Sequence, residues 1–377
     1  MVLPSLAVAG MEVMTRDLAA GLAARNHLVG VTCLEEGGPL AASLRDLNIP
    51  VSVFPCPGVR SNFRPDRRLS AHFNTLGCDV VHLHNGVWAK AALAARDARV
   101  PAIVSTMHGF AHHEMWFSEP LRWWGALKSD VVVAVSSSLQ GRLVNGTHIP
   151  ASKVTVVRNG IDTERFKPGP RSGVLRSQLG LTSEAPLLGC IARLDPVKNH
   201  SLLLNSLKSV LAAVPSAHLV LIGDGPLRQK LESEATLAGL SSAVTFVGTY
   251  ADTAPLYRDI DAFVLGSFSE GTSISILESM ASGVPVAATA VGGTPELLAE
   301  GHCGLLFPSE NAEAMAEAAI SLLRDRDLRA RIAAKARARV LSKFSLAAMV
   351  AAYEDIYESI LGERQLVNSR PSRMAIN

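Results

Sequence analysis

Residues 262–287, AFVLGSFSEGTSISILESMASGVPVA, carry the pattern that decides the fold class. The run Ala262–Leu265 is short, apolar and rich in branched side chains, which favours a strand buried on both faces. The following segment becomes helical, and a second apolar run begins at Val284. A strand, a helix and another strand in succession are typical of parallel sheets. The stretch therefore predicts an α/β fold.

The same alternation extends in both directions along the chain. Apolar runs of four to seven residues recur, and helical patterns fill most of the gaps between them. Such runs suit strands that helices cover on both sides, so two doubly wound parallel sheets of about six strands each are predicted. The runs are Leu28–Leu34, Val51–Phe54, Val80–Leu83, Ala102–Ser105, Val131–Val135, Val154–Val157, Leu187–Ala192, His218–Ile222, Val244–Val247, Ala262–Leu265, Val284–Ala287 and Gly304–Phe307.

Turn and breaker residues concentrate in residues 158–186, where we expect the chain to change domain. We predict an N-terminal Rossmann-like domain at 1–165 and a C-terminal Rossmann-like domain at 166–345. Residues 346–377 are predicted to form a last helix, packing back toward the N-terminal domain, and a frayed polar tail. The two domains would face each other across a cleft, and open α/β sheets bind ligands beyond the carboxyl ends of their strands.

The composition excludes several classes of protein. Hydrophobic residues make up 48% of the 377 residues and charged residues 19%, so a large core is expected. The formal net charge of +2 is too small to indicate nucleic acid as a partner. No apolar stretch approaches the ~18 residues of a spanning helix, and the N-terminus does not read as a signal peptide. The five cysteines lack metal-binding or redox spacing, so reduced thiols in a cytoplasmic protein are expected.

The first candidate for chemistry is the segment SFSEGTSISILESMASG, residues 267–283, in which seven residues separate Glu270 from Glu278. Gly271 allows a ligand to approach the backbone closely, and Thr272 and Ser273 can cap a helix start, where free amides attract phosphate. The alternative is that Glu278 only caps its helix, because Ser275 and Glu278 have the spacing of a capping box.

The second candidate is ARLDPVKNH, residues 192–200, which follows the predicted strand Leu187–Ala192. Arg193 and Lys198 flank a turn at the carboxyl end of that strand, where both could reach a pyrophosphate. The alternative is that they are two solvated loop cations.

Together these stretches resemble the retaining glycosyltransferases of the GT-B fold, in the large family numbered four. The ordered set of motifs covers nearly the whole chain. The amino-acid sequence around Gly271–Met280 resembles the branch of the family that builds bacterial exopolysaccharides. The matching segments are VRNGIDTERFKP (157–168), IARLDPVKN (191–199), LIGDGPLRQKL (221–231), FVG (246–248), the Glu-x7-Glu segment and GVPVAATAVGGTPELL (283–298).

The resemblance implies roles for the residues of the C-terminal domain. Glu278 would bind the ribose hydroxyls of the donor, and Glu270 would contact the transferred sugar near the reacting centre. Arg193 and Lys198 would bind the donor diphosphate. The backbone at Gly271, Thr272 and Ser273 would add contacts to phosphate or sugar.

In the N-terminal domain, the resemblance points to Gly10 and His108. SLAVAGME is similar to the glycine-rich first loop of the family, which would aim Gly10 at the donor phosphates, although Ala9 replaces a usual glycine. His108 in TMHG matches the active-site histidine, whereas a histidine in isolation is more commonly structural. Only Met1–Leu3 precede the first loop, so either the first strand is short or residues are missing.

Other signals could suggest a metal site, and we predict none. Asp259-Ile260-Asp261 spells the metal-binding motif of other glycosyltransferases, but it stands where a strand begins rather than at its carboxyl end. His82 and His84 share one strand face without a third ligand nearby in sequence. His112-His113-Glu114 lacks the spacing of the helical zinc motif.

The implied activity is transfer of a hexose, with retention and without metal or other cofactor, from a nucleotide diphosphate sugar to a glycan or lipid-linked glycan. Three alternatives remain: a nucleotide-sugar epimerase or other reaction on a GT-B scaffold, a non-catalytic nucleotide-sugar-binding subunit, and a hydrolase with paired carboxylates. Trp116, Phe117, Leu121 and Trp124 fit one helical stripe. It is either a core face or a patch that docks on the inner face of the membrane.

Overall fold

A computed structural model describes residues 1–56, 63–109 and 118–368. The described residues form two compact units. The first contains Met1–His108, Glu114–Arg158 and Leu346–Asn377, as far as these are described. The second contains Asn159–Ser345 together with Gly109.

The first unit is built on a parallel sheet of seven strands in the order β3-β2-β1-β4-β5-β6-β7. Its strands are β1 Val2–Leu3, β2 Val31–Cys33, β3 Val51–Val53, β4 Val80–Leu83, β5 Ala102–Met107, β6 Val131–Ala134 and β7 Val154–Val156. The helices between them are α1 Gly10–Ala23, α2 Leu40–Asp46, α3 Arg67–Leu76, α4 Trp88–Asp97, α5 Ser118–Lys128 and α6 Ser137–Gly141.

The second unit is built on a parallel sheet of six strands in the order β10-β9-β8-β11-β12-β13. Its strands are β8 Leu187–Ile191, β9 His218–Ile222, β10 Val244–Gly248, β11 Ala262–Leu265, β12 Val286–Thr289 and β13 Leu305–Phe307. The helices are α7 Val174–Gln178, α8 His200–Ala213, α9 Arg228–Leu237, α10 Ala254–Tyr257, α11 Ile274–Ala281, α12 Thr294–Leu297, α13 Ala312–Arg324 and α14 Arg326–Lys343.

The central strands explain why the apolar runs predicted the sheets. Every residue of β5, β9, β11 and β12 is buried. A strand covered by helices on both faces has no polar side, so its sequence becomes a continuous apolar run. All twelve predicted runs overlap a strand of the structure, and the prediction of two doubly wound parallel sheets is confirmed.

The strand order places a crevice in each sheet. Six strands of the first unit and all six of the second follow the Rossmann order 3-2-1-4-5-6. The order reverses between β1 and β4 in the first unit and between β8 and β11 in the second. Ligands of open α/β sheets bind beyond the carboxyl ends of the strands at such reversals. The loops that leave these four strands are therefore the places to look for a site.

The first strand has only two residues, Val2 and Leu3, and is therefore as short as one of the two alternatives above supposed. Val2 pairs with Thr32 of β2 and with Leu83 of β4, and Leu3 pairs with Cys33. Two residues therefore suffice to join the two halves of the first sheet. Leu3 and Leu6 are buried in a cluster with residues of α1, α2 and β2, which anchors this segment in the core.

The last helix, α15 Leu346–Asn368, lies in the first unit and packs against α1. A Cβ atom added at Gly21 of α1 would lie 2.4 Å from Val350 Cγ2, so glycine is needed for this close approach. The Tyr353 hydroxyl lies 3.1 Å from Thr106 Oγ1 on β5. Among the described residues, no helix is both long and apolar enough to span a bilayer.

Candidate active site

The residues predicted for the donor site in the second unit lie on the two loops that flank its strand reversal. Arg193 and Lys198 follow β8, and Glu270 follows β11. These two strands are neighbours in the sheet. The loops are joined by a hydrogen bond of 2.8 Å from Phe268 N to Val197 O. The fold therefore brings the two motifs together at the edge where a ligand is expected.

The loop after β8 has a backbone that fixes the position of Lys198. Asp195 caps the short 3-10 turn Pro196–Lys198 through its Oδ1, which accepts from Lys198 N at 3.3 Å. Asn199 then adopts left-handed φ and ψ angles of 48° and 52°. Asparagine tolerates this conformation better than most residues, so the turn can end here and α8 can begin.

Lys198 and Glu270 form an ion pair across the two loops. Lys198 Nζ donates to Glu270 Oε1 at 2.7 Å, and Ser267 Oγ donates to the same oxygen at 2.7 Å. The Glu270 side chain is only 7% exposed. Burial lowers the pKa of Lys198, but the attraction of Glu270 and the hydrogen bond to it outweigh burial, and the net pKa is raised. Lys198 is therefore a full cation at neutral pH.

The loop after β12 supports Glu270 from behind. Gly293 N donates to Glu270 O at 3.1 Å. A Cβ atom at Gly292, whose φ is +55°, would lie 1.8 Å from Glu270 O, so no other residue fits there without moving the loop. The pair Gly292-Gly293 belongs to the motifs that resemble the family, but the sequence alone did not indicate this supporting role. The signal that could have indicated it was a Gly-Gly pair in the loop after a strand.

The helix α11 starts differently from the capping-box alternative, which is wrong. Ser273 is the N-cap, and its Oγ accepts from Ile276 N at 3.5 Å, whereas Ser275 lies inside the helix. Glu278 is therefore in the body of the helix, out of reach of its free amides. The loop residues Thr272 and Ser273 are buried just before the helix start.

Glu278 is instead oriented by a tyrosine. Tyr257 of α10 is fully buried and donates to Glu278 Oε2 at 2.7 Å. Burial and the charge of Glu278 raise the pKa of Tyr257 well above its usual value, so the phenol remains a donor. A buried carboxylate is an acceptor of the kind that binds ligand hydroxyls, and Tyr257 fixes its orientation. Sequence reasoning did not identify Tyr257, because it lies 21 residues from Glu278 on a different helix.

Arg193 is placed on the same loop as Lys198 but is not part of the buried pair. Its side chain is 60% exposed, and its Nε lies 3.9 Å from Asp195 Oδ2. This contact is too long and too exposed to hold the guanidinium in one place. Arg193 is therefore a cation with room to move toward a ligand.

In the first unit, Gly10 and His108 lie on the loops predicted for them. Gly10 is the first residue of α1, and Ala9 at the N-cap offers no side chain to the free amides. His108 follows β5, and its backbone N–H donates to Asn85 Oδ1 at 3.0 Å. Burial lowers the pKa of His108 to about 4, so its ring is neutral at physiological pH.

His82 of β4 and His84, which directly follows β4, lie beside His108. His84 Nδ1 and His108 Nε2 are 2.9 Å apart. The rings of His82 and His84 lie on one side of the strand with their centroids 4.4 Å apart. The nitrogens of His82 contact Thr106 Oγ1 and Tyr357 Oη, each at 2.7 Å. Four of the six ring nitrogens of His82, His84 and His108 thus contact neighbouring side chains.

The two aspartates of the Asp259-Ile260-Asp261 motif stabilise the fold. Asp259 is fully buried and accepts from Gly173 N and Leu175 N at the start of α7. Asp261 Oδ2 accepts from Arg176 Nη2 and Leu187 N. Both carboxylates therefore join α7 and β8 to the beginning of β11.

Two sequence signals fall partly outside the described residues. Trp116, Phe117, His112, His113 and Glu114 lie there, so the helical stripe can be examined only at its end. The described end shows Leu121 and Trp124 half-buried, Trp123 40% exposed and Lys128 Nζ 4.5 Å above the Trp124 ring.

Comparison with known proteins identifies the two halves separately. Residues 8–165 match the family described as Glycosyltransferase Family 4, and residues 173–339 match the family described as Glycosyl transferases group 1. The chain is 31% identical over 293 residues to the lipopolysaccharide core biosynthesis mannosyltransferase LpsB of Rhizobium meliloti, covering 75% of this chain and 80% of that protein. It is 32% identical over 305 residues to a GDP-mannose-dependent alpha-(1-6)-phosphatidylinositol monomannoside mannosyltransferase of Mycobacterium tuberculosis, covering 76% of each.

Solved structures share the fold at lower identity. Anabaena Alr3699/HepE, crystallised with UDP and glucose, superposes with a TM-score of 0.84 at 24% identity and covers 95% of this chain and 98% of its own. The lipopolysaccharide glycosyltransferase WaaG gives a TM-score of 0.69 at 18% identity, covering 96% and 99%. The chain therefore has the GT-B fold and belongs to the family 4, group 1 glycosyltransferases.

Proposed function

We propose that the protein transfers a hexose from a nucleotide diphosphate sugar to a hydroxyl of a glycan or lipid-linked glycan, with retention at the anomeric carbon. The observation that carries the proposal is the buried Lys198–Glu270 pair at the strand reversal of the second unit. It sets a fixed cation and a fixed carboxylate beside the loop that leads into α11.

The departing diphosphate must be stabilised as it gains charge. Lys198 and Arg193 contact it with full positive charges, and the free amides at the start of α11, next to Gly271, Thr272 and Ser273, add a partial one. Gly10 at the start of α1 is proposed as a further contact to the donor phosphates, as the resemblance to the family implies. Because Lys198 is already held by Glu270, little reorganisation is needed when charge develops, which is how preorganised groups accelerate a reaction.

The two glutamates have different tasks in this proposal. Glu278, oriented by Tyr257, accepts hydrogen bonds from the ribose hydroxyls of the donor. Glu270 contacts the transferred sugar near the reacting centre, and His108 contacts it from the first unit. Lys198 and Ser267 both donate to one oxygen of Glu270, which spreads its charge and makes it a poor nucleophile. This favours front-face attack by the acceptor without a lasting covalent intermediate.

The names of the relatives suggest which donors to test first. LpsB and the mycobacterial enzyme are mannosyltransferases, the latter dependent on GDP-mannose, and HepE was crystallised with UDP-glucose. Their names also suggest a cell-surface glycan or a lipid-linked acceptor, in keeping with the exopolysaccharide branch. The purified protein should release nucleotide from one donor in a panel of UDP-, GDP- and ADP-hexoses when an acceptor is present. Release from none of them would contradict the proposal.

The same panel separates the alternatives. An epimerase would return an altered nucleotide sugar without an acceptor, whereas a transferase forms a glycoside. A non-catalytic binding subunit would bind a donor without releasing nucleotide, and a hydrolase would release free sugar from a glycoside. The transferase is favoured because the second unit contains a cation, Lys198, together with two carboxylates, Glu270 and Glu278, which are proposed to bind the sugar and the ribose.

A cytoplasmic location is part of the proposal. All five cysteines lie in described segments and none forms a disulfide, and four of them, Cys33, Cys56, Cys190 and Cys303, are buried. Unpaired thiols are typical of reducing compartments. A lipid-linked acceptor would require contact with the inner face of the membrane, and α5, with Trp123 exposed and Lys128 over the Trp124 ring, offers a suitable surface for it.

Replacing Glu278 with alanine should weaken donor binding more than turnover. The loss of a charge-assisted hydrogen bond costs roughly 1.5–3 kcal/mol, so the donor Kd should rise by about 10- to 100-fold. Calorimetric titration with the donor measures the change. Glu234→Gln, on α9 of the same unit, is the matched control and should bind donor like the parent protein. An unchanged Kd in Glu278→Ala would show that this carboxylate does not bind the ribose.

Transfer should not require a divalent metal. Asp259 and Asp261, which could otherwise hold one, are engaged by backbone amides and arginines of the fold. The cations Arg193 and Lys198 and the start of α11 supply the positive charge instead. Activity measured after EDTA treatment should equal that of the untreated protein. Complete loss in EDTA, restored by magnesium or manganese, would contradict this proposal.

A further inference from the structure

The contact between His84 and His108 is a hydrogen bond between two buried neutral rings. His84 Nδ1 lies 2.9 Å from His108 Nε2, and the ring centroids are 5.2 Å apart. Burial lowers the pKa of His84 well below its usual value and that of His108 to about 4. Each ring therefore carries a single N–H.

This geometry couples the tautomers of the two rings. If His84 is protonated at Nδ1, it donates, so His108 Nε2 is bare and the His108 proton lies on Nδ1. If His84 is protonated at Nε2, its Nδ1 accepts, so His108 is protonated at Nε2. In both cases the same nitrogen is protonated in the two rings. Whether His108 Nδ1 offers an N–H or a lone pair is consequently linked to which nitrogen of His84 is protonated.

The His84 ring is itself held in place. His84 N donates to Val2 O at 2.9 Å, which fixes the backbone just after β4. Its ring packs on His82, whose two nitrogens are both engaged, by Thr106 and Tyr357. The neighbouring Asn85 holds the backbone of His108. His84 and Asn85 thus fix His108 at its ring and at its main chain, respectively.

Two ring nitrogens of the pair remain, and both are buried. Neither His84 Nε2 nor His108 Nδ1 has a hydrogen-bond partner among the described residues. His84 Nε2 belongs to a ring enclosed between two other histidines. His108 Nδ1 belongs to the residue that leaves the carboxyl end of β5, where ligands of such sheets bind.

We propose that His84 is a positioning residue that holds the ring of His108 and couples the tautomer of His108 to its own, so that the hydrogen-bonding role of His108 Nδ1 toward the sugar depends on His84. The inference rests on the proposed function in one respect, the contact of His108 with the sugar. The coupling between the rings stands on the geometry alone.

The coupling is tested on the full chain labelled with ¹⁵N in histidine. Two-bond ¹H–¹⁵N correlation spectra identify the protonated nitrogen of each ring, and His84→Leu and His108→Ala assign the signals. We expect His84 and His108 to be neutral and protonated at the same ring nitrogen, and His108 to lose its single tautomer in His84→Leu. Different protonated nitrogens in the two rings, or a doubly protonated ring, would overturn the proposal.

The catalytic consequence is tested by steady-state kinetics. His84→Leu should lower kcat by about 10- to 100-fold with little change in donor KM, as expected when a buried group loses its partner. His84→Asn, whose amide can replace Nδ1, should recover most of kcat. Tyr353→Phe is the matched control, because it alters the same cluster away from the His84–His108 contact, and it should leave kcat unchanged. Equal loss in His84→Asn and His84→Leu, with equal thermal midpoints, would overturn the positioning role.

One further variant separates this inference from the proposed function. His108→Ala should reduce turnover at least as far as His84→Leu. Full activity of His108→Ala would remove His108 from the proposed reaction, and the spectra would still decide whether its tautomer is coupled to that of His84.

Discussion

Replacement of Lys198 by alanine is expected to lower kcat/KM for the donor by about 10²- to 10³-fold, the range for removal of one preorganised group that faces a developing charge. Lys198 lies on the loop after β8, and Glu270 holds its Nζ at 2.7 Å. Its pKa is raised despite burial, so the full charge is available throughout the neutral range. Initial rates with varied donor concentration measure the loss.

Two further variants keep this prediction distinct from a folding defect. Lys230→Ala is the matched control, because Lys230 is 68% exposed on α9 and pairs with Glu234 at 3.6 Å. It should leave kcat/KM unchanged. Lys198→Arg keeps the charge in a different shape and should lose less activity than Lys198→Ala. Thermal midpoints of all three are needed, because Lys198→Ala leaves the buried Glu270 without its cation. A kcat/KM for Lys198→Ala equal to that of Lys230→Ala would refute the role of Lys198.

Replacement of Glu270 by glutamine should reduce kcat by about 100-fold or more, because a fixed charge near the reacting centre is lost. Donor affinity should be unchanged or tighter. The carboxylate repels the donor diphosphate and competes with it for Lys198, and glutamine removes both effects. Without the charge of Glu270, the largest influence that raises the pKa of Lys198 is lost, so burial should lower this pKa relative to that in the parent protein, although Asp195 still opposes it. Single-turnover rates and donor titrations measure the two effects separately.

The comparison with Glu278 makes the Glu270 prediction specific. Glu278→Ala should mainly raise the donor Kd, whereas Glu270→Gln should mainly lower kcat. Glu232→Gln on α9, whose partner is the surface residue Arg228, is the control for loss of a carboxylate. A weakened donor Kd with unchanged kcat in Glu270→Gln would contradict the assignment of the two glutamates.

The sheets could be predicted because the cause of each strand is local. Strands such as Ala262–Leu265 and His218–Ile222 are buried throughout, so their sequences consist largely of apolar residues on both faces. The two-residue strand Val2–Leu3 could not be recognised in this way, since it is too short to form a pattern. Its pairing with both β2 and β4 defines it as a strand.

The alternatives that spacing left open required the structure. Ser275 and Glu278 have capping-box spacing, yet the N-cap of the helix is Ser273, two residues before Ser275. Glu278 instead contacts Tyr257. His82 and His84 could be placed on one strand face from their alternation, but their partners could not be inferred. These partners are Thr106 of β5, His108 just after β5, and Tyr357 of α15.

The sequence by itself determined the doubly wound fold and the motifs that define the family, because apolar runs and ordered motifs are local properties of the chain. Only the tertiary structure decided which motifs meet. Lys198 and Glu270 are 72 residues apart, and they pair because β8 and β11 are neighbours in the sheet. His84 reaches His108 because β4 and β5 are neighbours. Strand order depends on how the whole sheet assembles, and no local pattern of residues encodes it.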